Sequence, residues 1–252
     1  FQPIEVLKPF LIIILATILC DIKSNILFKY LISIFLISVI SLLLIAQPDI
    51  GQTLLVVFCW AVLIFTSGIN IYILLAIFIA GASLLTYLII YVPRFDYIQG
   101  RIFSFFNRET GTHNFQSDKA IESITSGGFF GKGIGEGVLK NRVPEAHTDY
   151  IISVISEEFG VVAIMLILLL FLILIYMVFK KISFETNDKV KLILIGSISL
   201  ILMQATIHVG VNIRLFPTTG MTLPFLSYGG SSIISTSILA GIILNLTKRK
   251  IT

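Results

Sequence analysis

Apolar residues run through this chain in long uninterrupted blocks, separated by short polar links and one long polar stretch. A hydrocarbon layer of about 30 Å takes about 20 helical residues, with shorter spans accommodated by tilt or local adjustment of the bilayer. Seven segments qualify as spans, roughly 4–20, 30–46, 53–69, 71–92, 158–179, 192–213 and 230–247. Barrel strands are excluded, because they would alternate apolar and polar residues where these blocks do not. The expected fold is all-α: a polytopic transmembrane helical bundle forming one integral membrane domain over 1–252, with one long loop at 93–150.

Composition sharpens this. Of 252 residues, 56% are hydrophobic and 13% charged, whereas a soluble domain clothes itself with about a quarter charged residues. A soluble enzyme, a disulfide-rich secreted domain and a disordered chain are all excluded. Cys20 and Cys59 both lie in apolar stretches, so neither a disulfide framework nor a thiolate metal site is expected. No basic run exceeds Lys248-Arg249-Lys250, and no nucleic-acid partner is expected. The sequence starts at Phe1 without a methionine or a signal-peptide n-region, and is read as a fragment whose beginning is missing.

Lysine and arginine in short loops set the orientation. Lys23, Lys29, Lys180, Lys181, Lys189, Lys191 and the Lys248–Lys250 tail fall on one side; the alternate short loops offer only Arg214. The expected C-terminus is therefore cytoplasmic, which places the 93–150 segment on the outer face. Long loops between packed spans are usually functional.

That segment holds a glycine series, Gly127, Gly128, Gly131, Gly133, Gly135 and Gly137. A nucleotide-binding loop is not supported, since Lys132 is followed by Gly133 rather than Ser or Thr. The simplest reading is a loop folded tightly against the membrane face, where glycines permit close backbone approach. Alternatively, exposed amides beside Lys132 and Lys140 hold phosphate oxygens. Next comes Val143-Pro144-Glu145-Ala146-His147-Thr148-Asp149-Tyr150, directly before an apolar helix. Asp149 could be only a helix cap. But Glu145, His147, Asp149, Glu157 and Glu158 crowd titratable groups at the membrane edge, where partial desolvation raises a carboxyl pKa and suits it to accept a proton. His147 and Asp149 alone make no recognisable metal site.

Charges inside spans are expensive and mark function or structural pairing. Glu5 and Lys8 lie on one helix face and can neutralise each other, while Asp49 follows Gln47-Pro48 at a span end and could cap the next helix. Gln204, His208 and Asn212 form a polar stripe expected to hydrogen-bond between helices. The Phe216–Ser232 stretch carries two prolines and three glycines among apolar residues, an irregular backbone that must be buried in protein or line a wet cavity.

Together these motifs resemble the SEDS (shape, elongation, division and sporulation) family: Phe1-Gln2-Pro3-Ile4-Glu5…Lys8, Gln47-Pro48-Asp49-Ile50-Gly51, Ser126-Gly127-Gly128…Gly131-Lys132-Gly133-Ile134-Gly135, Pro144–Tyr150 with Glu157-Glu158-Phe159-Gly160, and Pro217–Ser232. The resemblance extends over the whole chain, and Pro217–Pro224 is more similar to the division branch than to the elongation branch. Ile4, Gly137 and His208 depart from the family pattern; the acidic positions do not.

The resemblance implies a ten-span fold of which about seven spans are present, in the bacterial cytoplasmic membrane. It implies a peptidoglycan glycosyltransferase polymerising lipid II at the outer face, with a class B penicillin-binding protein, other division proteins and membrane lipid as partners. Asp149 is the expected general base. Lys132 and Lys140 are candidates to hold the pyrophosphate, with a divalent cation, magnesium or manganese, as an alternative or helper. Glu5, Lys8 and Asp49 are expected to line the central cavity, and Glu145, His147 and Ser227 to join the substrate contacts. The competing readings are a lipid II flippase, an elongation polymerase and a non-catalytic scaffold.

Overall fold

The computed structural model describes residues 2–21, 25–106 and 112–248, so Phe1 of the first motif and Lys23, Arg249 and Lys250 of the charge pattern lie outside the described residues. The helices are α1 (Pro3–Cys20), α2 (Ile26–Ala46), α3 (Ile50–Thr66), α4 (Ile71–Tyr91), α5 (Asp96–Phe106), α6 (Thr112–Gly127), α7 (Ile151–Phe184), α8 (Asp188–Asn212) and α9 (Gly230–Thr247). No strand occurs among the described residues. The all-helical, polytopic reading therefore holds, and six of these helices are long and apolar enough to cross a membrane. The seventh expected span, α3, has 17 residues and is about 25 Å long at 1.5 Å per residue, short of a full hydrocarbon layer.

The chain divides into two compact units. The first comprises Phe1–Gly68, Leu166–Thr206 and Met221–Thr252. Here α1 packs on α2, α3 and α9. Its buried positions Ile4, Lys8, Leu11, Ile12, Leu15, Ala16 and Leu19 recur at helical spacing, so one face meets protein while Leu7, Phe10 and Ile14 stay exposed. Small residues set the closest approach: a methyl at Gly196 of α8 would lie 2.7 Å from Ile12 and 3.1 Å from Leu63. Between apolar helices in lipid, such small positions let backbones come close enough to pack.

The second unit comprises Ile69–Met165 and Ile207–Gly220. Helix α4 buries only Leu74, so almost its whole apolar surface is presented outward, as expected of a span that meets lipid. The 93–150 segment, expected as a loop, is largely structured: α5, α6 and a 3-10 turn at Leu139–Arg142 occupy much of it. Helix α6 carries few apolar residues and no hydrophobic signal; what it buries is small, Ser117, Ala120 and Ser123. That face meets the start of α7, where a methyl on Gly127 would sit 1.9 Å from the Ser156 carbonyl oxygen.

Candidate active site

The glycine series is used for backbone docking. Helix α7 breaks at Gly160, whose backbone is left-handed and extended (φ 77°, ψ −178°). The break frees carbonyls and amides that an intact helix would pair, and the loop takes them. Lys132 and Gly133 amides donate to the carbonyls of Glu157 (2.9 Å) and Glu158 (3.0 Å). In return, Val161 and Val162 amides donate to Gly128 (3.0 Å) and Phe129 (3.3 Å). A methyl at Gly160 would lie 2.2 Å from the Phe129 oxygen, so a side chain would keep the two backbones apart.

Glu157 fastens the rest of the loop. Its side chain has no exposed surface. Oε1 accepts the amides of Val138 and Leu139, both at 3.0 Å, and Oε2 accepts the Lys140 amide at 2.6 Å and the Ser123 hydroxyl at 3.0 Å. Lys132 Nζ lies 3.4 Å from Oε1, and Lys140 Nζ pairs with Glu158. Both lysines proposed from sequence for the pyrophosphate are thus engaged by α7 glutamates. They differ in access: 39% of the Lys132 side chain is exposed, against 17% for Lys140.

The Pro144–Tyr150 segment is a series of turns leading into α7. Val143, Ala146 and Tyr150 are buried at near-helical spacing, which leaves Glu145 and His147 exposed and Asp149 half-buried. Glu145 has a left-handed backbone (φ 54°), and its carbonyl accepts the amides of Thr148 and Asp149, each at 3.1 Å. The Thr148 hydroxyl lies 3.1 Å from Glu145 Oε2. Asn212 of α8 donates through Nδ2 to the Asp149 carbonyl at 3.0 Å and to that of His208 at 2.9 Å. The polar stripe therefore makes the bond between elements that its spacing suggested. A methyl on Gly220 (φ 67°) would be 3.5 Å from Asp149 Oδ2, so this loop backbone lies beside the carboxylate. Burial, followed by the nearby charge of Glu145, pushes the Asp149 carboxyl up to about 6, against a smaller opposing effect of Thr148.

The first unit holds a second polar cluster. Lys8 Nζ lies 2.8 Å from Glu5 Oε2 and donates to Gln52 Oε1 (3.1 Å) and Gln204 Oε1 (3.3 Å). These three acceptors match the three protons of an ammonium group, and both Glu5 and Lys8 are buried. Gln52 Nε2 donates to Glu5 Oε1 (2.5 Å); Gln204 Nε2 donates to the Thr222 carbonyl (3.0 Å), and the Thr222 and Ser232 hydroxyls lie 2.7 Å apart. Asp49 caps α3 by accepting the Gln52 amide (3.0 Å), and Gln2 donates to its other oxygen (2.7 Å). Burial holds the Asp49 carboxyl above its ordinary value. Ser227 is buried, and its hydroxyl oxygen accepts the Leu223 amide (2.8 Å), closing the turn after Pro224.

Each expected site residue thus falls in one of three groups: Asp149 with Glu145, beside exposed His147; Lys132 and Lys140 with the α7 glutamates; and Glu5, Lys8 and Asp49, with Ser227 in the loop of the same unit. Sequence reasoning missed the anchoring role of Glu157 and the participation of Gln52. Glu157 carried a signal, an acidic residue three before a glycine that interrupts an apolar helix. Among the described residues, no three His, Cys, Asp or Glu side chains are grouped to hold a metal ion.

A chain whose described residues form six helices long and apolar enough to cross a bilayer is an integral membrane protein. The chain belongs to the FtsW/RodA/SpoVE family, described as cell cycle proteins, whose pattern matches residues 1–251. It is 33% identical over 256 residues to a Caulobacter vibrioides protein named "Probable peptidoglycan glycosyltransferase FtsW", covering 99% of this chain and 63% of that one. An Enterococcus hirae protein of the same name is 31% identical, covering 100% and 66%. The chain thus spans just under two thirds of these relatives' length. Among solved structures, a chain from work on polymerization and crosslinking by a peptidoglycan synthase complex superposes with a TM-score of 0.79 at 27% identity, covering 100% of this chain and 71% of that one. A Thermus thermophilus rod shape determining protein RodA superposes at 0.67 with 28% identity, covering 100% and 67%.

Proposed function

We propose that this chain carries the catalytic carboxylate of a peptidoglycan glycosyltransferase that polymerises lipid II during cell division. The observation that carries the reading is Asp149: a half-buried carboxyl raised to about 6, at the entrance of a span, in a chain related to proteins named for that activity. A base of this strength is ionised at neutral pH yet basic enough to receive a proton in a transition state.

In the proposed step, a hydroxyl oxygen of the acceptor sugar attacks the anomeric carbon of the lipid-linked donor. The hydroxyl proton passes to an Asp149 oxygen. The bond from the anomeric carbon to the pyrophosphate oxygen breaks, and the polyprenyl pyrophosphate leaves as an anion. That leaving group needs charge neutralisation rather than a dedicated acid, unlike an ordinary glycosidic bond, whose hydrolysis typically uses two carboxylates. Lys132, the more exposed lysine, supplies the neutralising charge in preference to Lys140. Glu145 and His147, exposed on the same turns, contact the sugars. A divalent cation, magnesium or manganese, would assist or replace Lys132 in neutralising the pyrophosphate.

The same proposal puts the protein in the bacterial cytoplasmic membrane, with the C-terminus cytoplasmic and 93–150 outside. Its partners are then a class B penicillin-binding transpeptidase and other division proteins. The test is glycan-strand formation from labelled lipid II by the full-length protein with its transpeptidase partner, comparing wild type with Asp149→Asn. The expected result is polymer from wild type and a loss of about 10²–10⁴-fold in the variant at unchanged lipid II binding. Equal polymer from both would remove Asp149 from the chemistry. No polymer from either would shift the reading to a flippase or a scaffold.

A further inference from the structure

The docked glycine loop turns three large apolar side chains outward: Phe129, Phe130 and Ile134 are 75%, 84% and 79% exposed. Their position along α7 is fixed, because Gly128 and Phe129 accept the amides of Val161 and Val162, the first two residues after the break. The depth of that point can be counted. Lys180 and Lys181 end the apolar run of α7, and about 20 residues back from Phe179, the length that crosses the hydrocarbon, lies Gly160. Beyond it Val161, Val162, Met165 and Leu166 are exposed apolar side chains with no polar group among them, a surface suited to lipid.

Phe129 and Phe130 therefore stand level with the edge of the hydrocarbon, at the end of α7 away from Lys180 and Lys181. We propose that Phe129, Phe130 and Ile134 form a lipid-contacting wedge that enters the bilayer at the boundary between headgroups and acyl chains, pinning the glycine loop to the membrane. The occupant is bilayer lipid, because the wedge continues the exposed apolar surface of α7 at the same depth. Lys132, between the aromatic pair and Ile134, has an aliphatic stem that can follow the wedge while its ammonium stays at headgroup level. Aromatic and aliphatic side chains beside a basic residue are the composition that binds membrane interfaces without crossing them. This inference is independent of the proposed reaction.

The test is spin labelling of the full-length protein in lipid nanodiscs, on a background cleared of native cysteines. Labels enter through Phe130→Cys and Ile134→Cys, with Leu169→Cys as the hydrocarbon reference and Glu136→Cys as the aqueous one. Collision rates with oxygen, which concentrates in lipid, and with a water-soluble nickel chelate report depth. Labels at 130 and 134 should have oxygen-to-nickel ratios several-fold above Glu136→Cys and below Leu169→Cys. A ratio equal to that at Glu136→Cys overturns the proposal. So does low access to both reagents at 130 and 134, which would mean that protein, from a partner or a second copy, covers the patch.

Discussion

Glu157→Gln keeps the shape of the side chain that fastens the glycine loop and removes its charge. In the cheaper of the two amide orientations, the carbonyl oxygen takes the place of Oε1 and still accepts Val138 and Leu139. The NH2 then replaces Oε2 and faces the Lys140 amide, donor against donor. The Ser123 hydroxyl can rotate to accept instead. One amide is left unpaired, which costs about 1–3 kcal/mol, and the bonds that remain lose the strengthening a charged acceptor gives. A local loss of about 2–4 kcal/mol follows. Hydrogen exchange of the purified protein reads this directly: amides at 138–140 should exchange roughly 30- to 700-fold faster, at about 1.4 kcal/mol per tenfold. Exposed Glu122→Gln should leave the same peptide unchanged. If protection at 138–140 is equal in wild type and Glu157→Gln, the carboxylate does not hold the loop and the reasoning fails.

Asp149 makes two opposite demands. As a base it must be ionised, so strand formation should fall on the acid side of about 6 and level off above it, and Glu145→Gln should move that midpoint downward; a pH profile of single-turnover polymerisation checks both. Because the folded-state pKa is raised, the carboxyl favours the fold below its ordinary value of 3.8 and loses that contribution as pH rises through about 6. Asp149→Asn should accordingly melt higher than wild type at pH 8 and show no such gain at pH 3.5; an equal gain at both would contradict the shift. Gly160→Ala, at φ 77° with its methyl 2.2 Å from a backbone oxygen, should lower the melting temperature, while Gly81→Ala, a helical position in open space, should be neutral or raise it slightly. Lys8→Met strands the Glu5 carboxylate in the interior at a cost of about 3–5 kcal/mol, and adding Glu5→Gln should recover much of it in denaturant unfolding.

The spans were legible because a helix in lipid needs little beyond sustained apolarity, and α9 begins and ends where its block does. Helix α6 was not, because it packs through Ser117, Ala120, Ser123 and Gly127, which make no hydrophobic stripe. The break in α7 was hidden by continuous apolarity on one side of Gly160 and helical propensity on the other. Asp149 was legible as a titratable group at a membrane edge, and so was the desolvation that raises its carboxyl pKa, but the added effect of the Glu145 charge depends on turns that only the folded chain creates. The two lysines were legible as cations, and their commitment to Glu157 and Glu158 was not, because ion pairing between distant segments leaves no spacing to read.

The arrangement around Lys8 bears on how this chain can change over descent. Its ammonium meets Glu5 on its own helix and the amide oxygens of Gln52 on α3 and Gln204 on α8, while Gln52 Nε2 donates to Glu5 and Gln204 Nε2 to the Thr222 carbonyl. A mutation at any one of these positions disturbs the donors and acceptors at the others, so neutral drift there is closed to single steps. Lineages should therefore either keep the whole set or replace it jointly, and positions 5, 8, 52 and 204 should appear in an alignment of relatives as one correlated group rather than four separate sites.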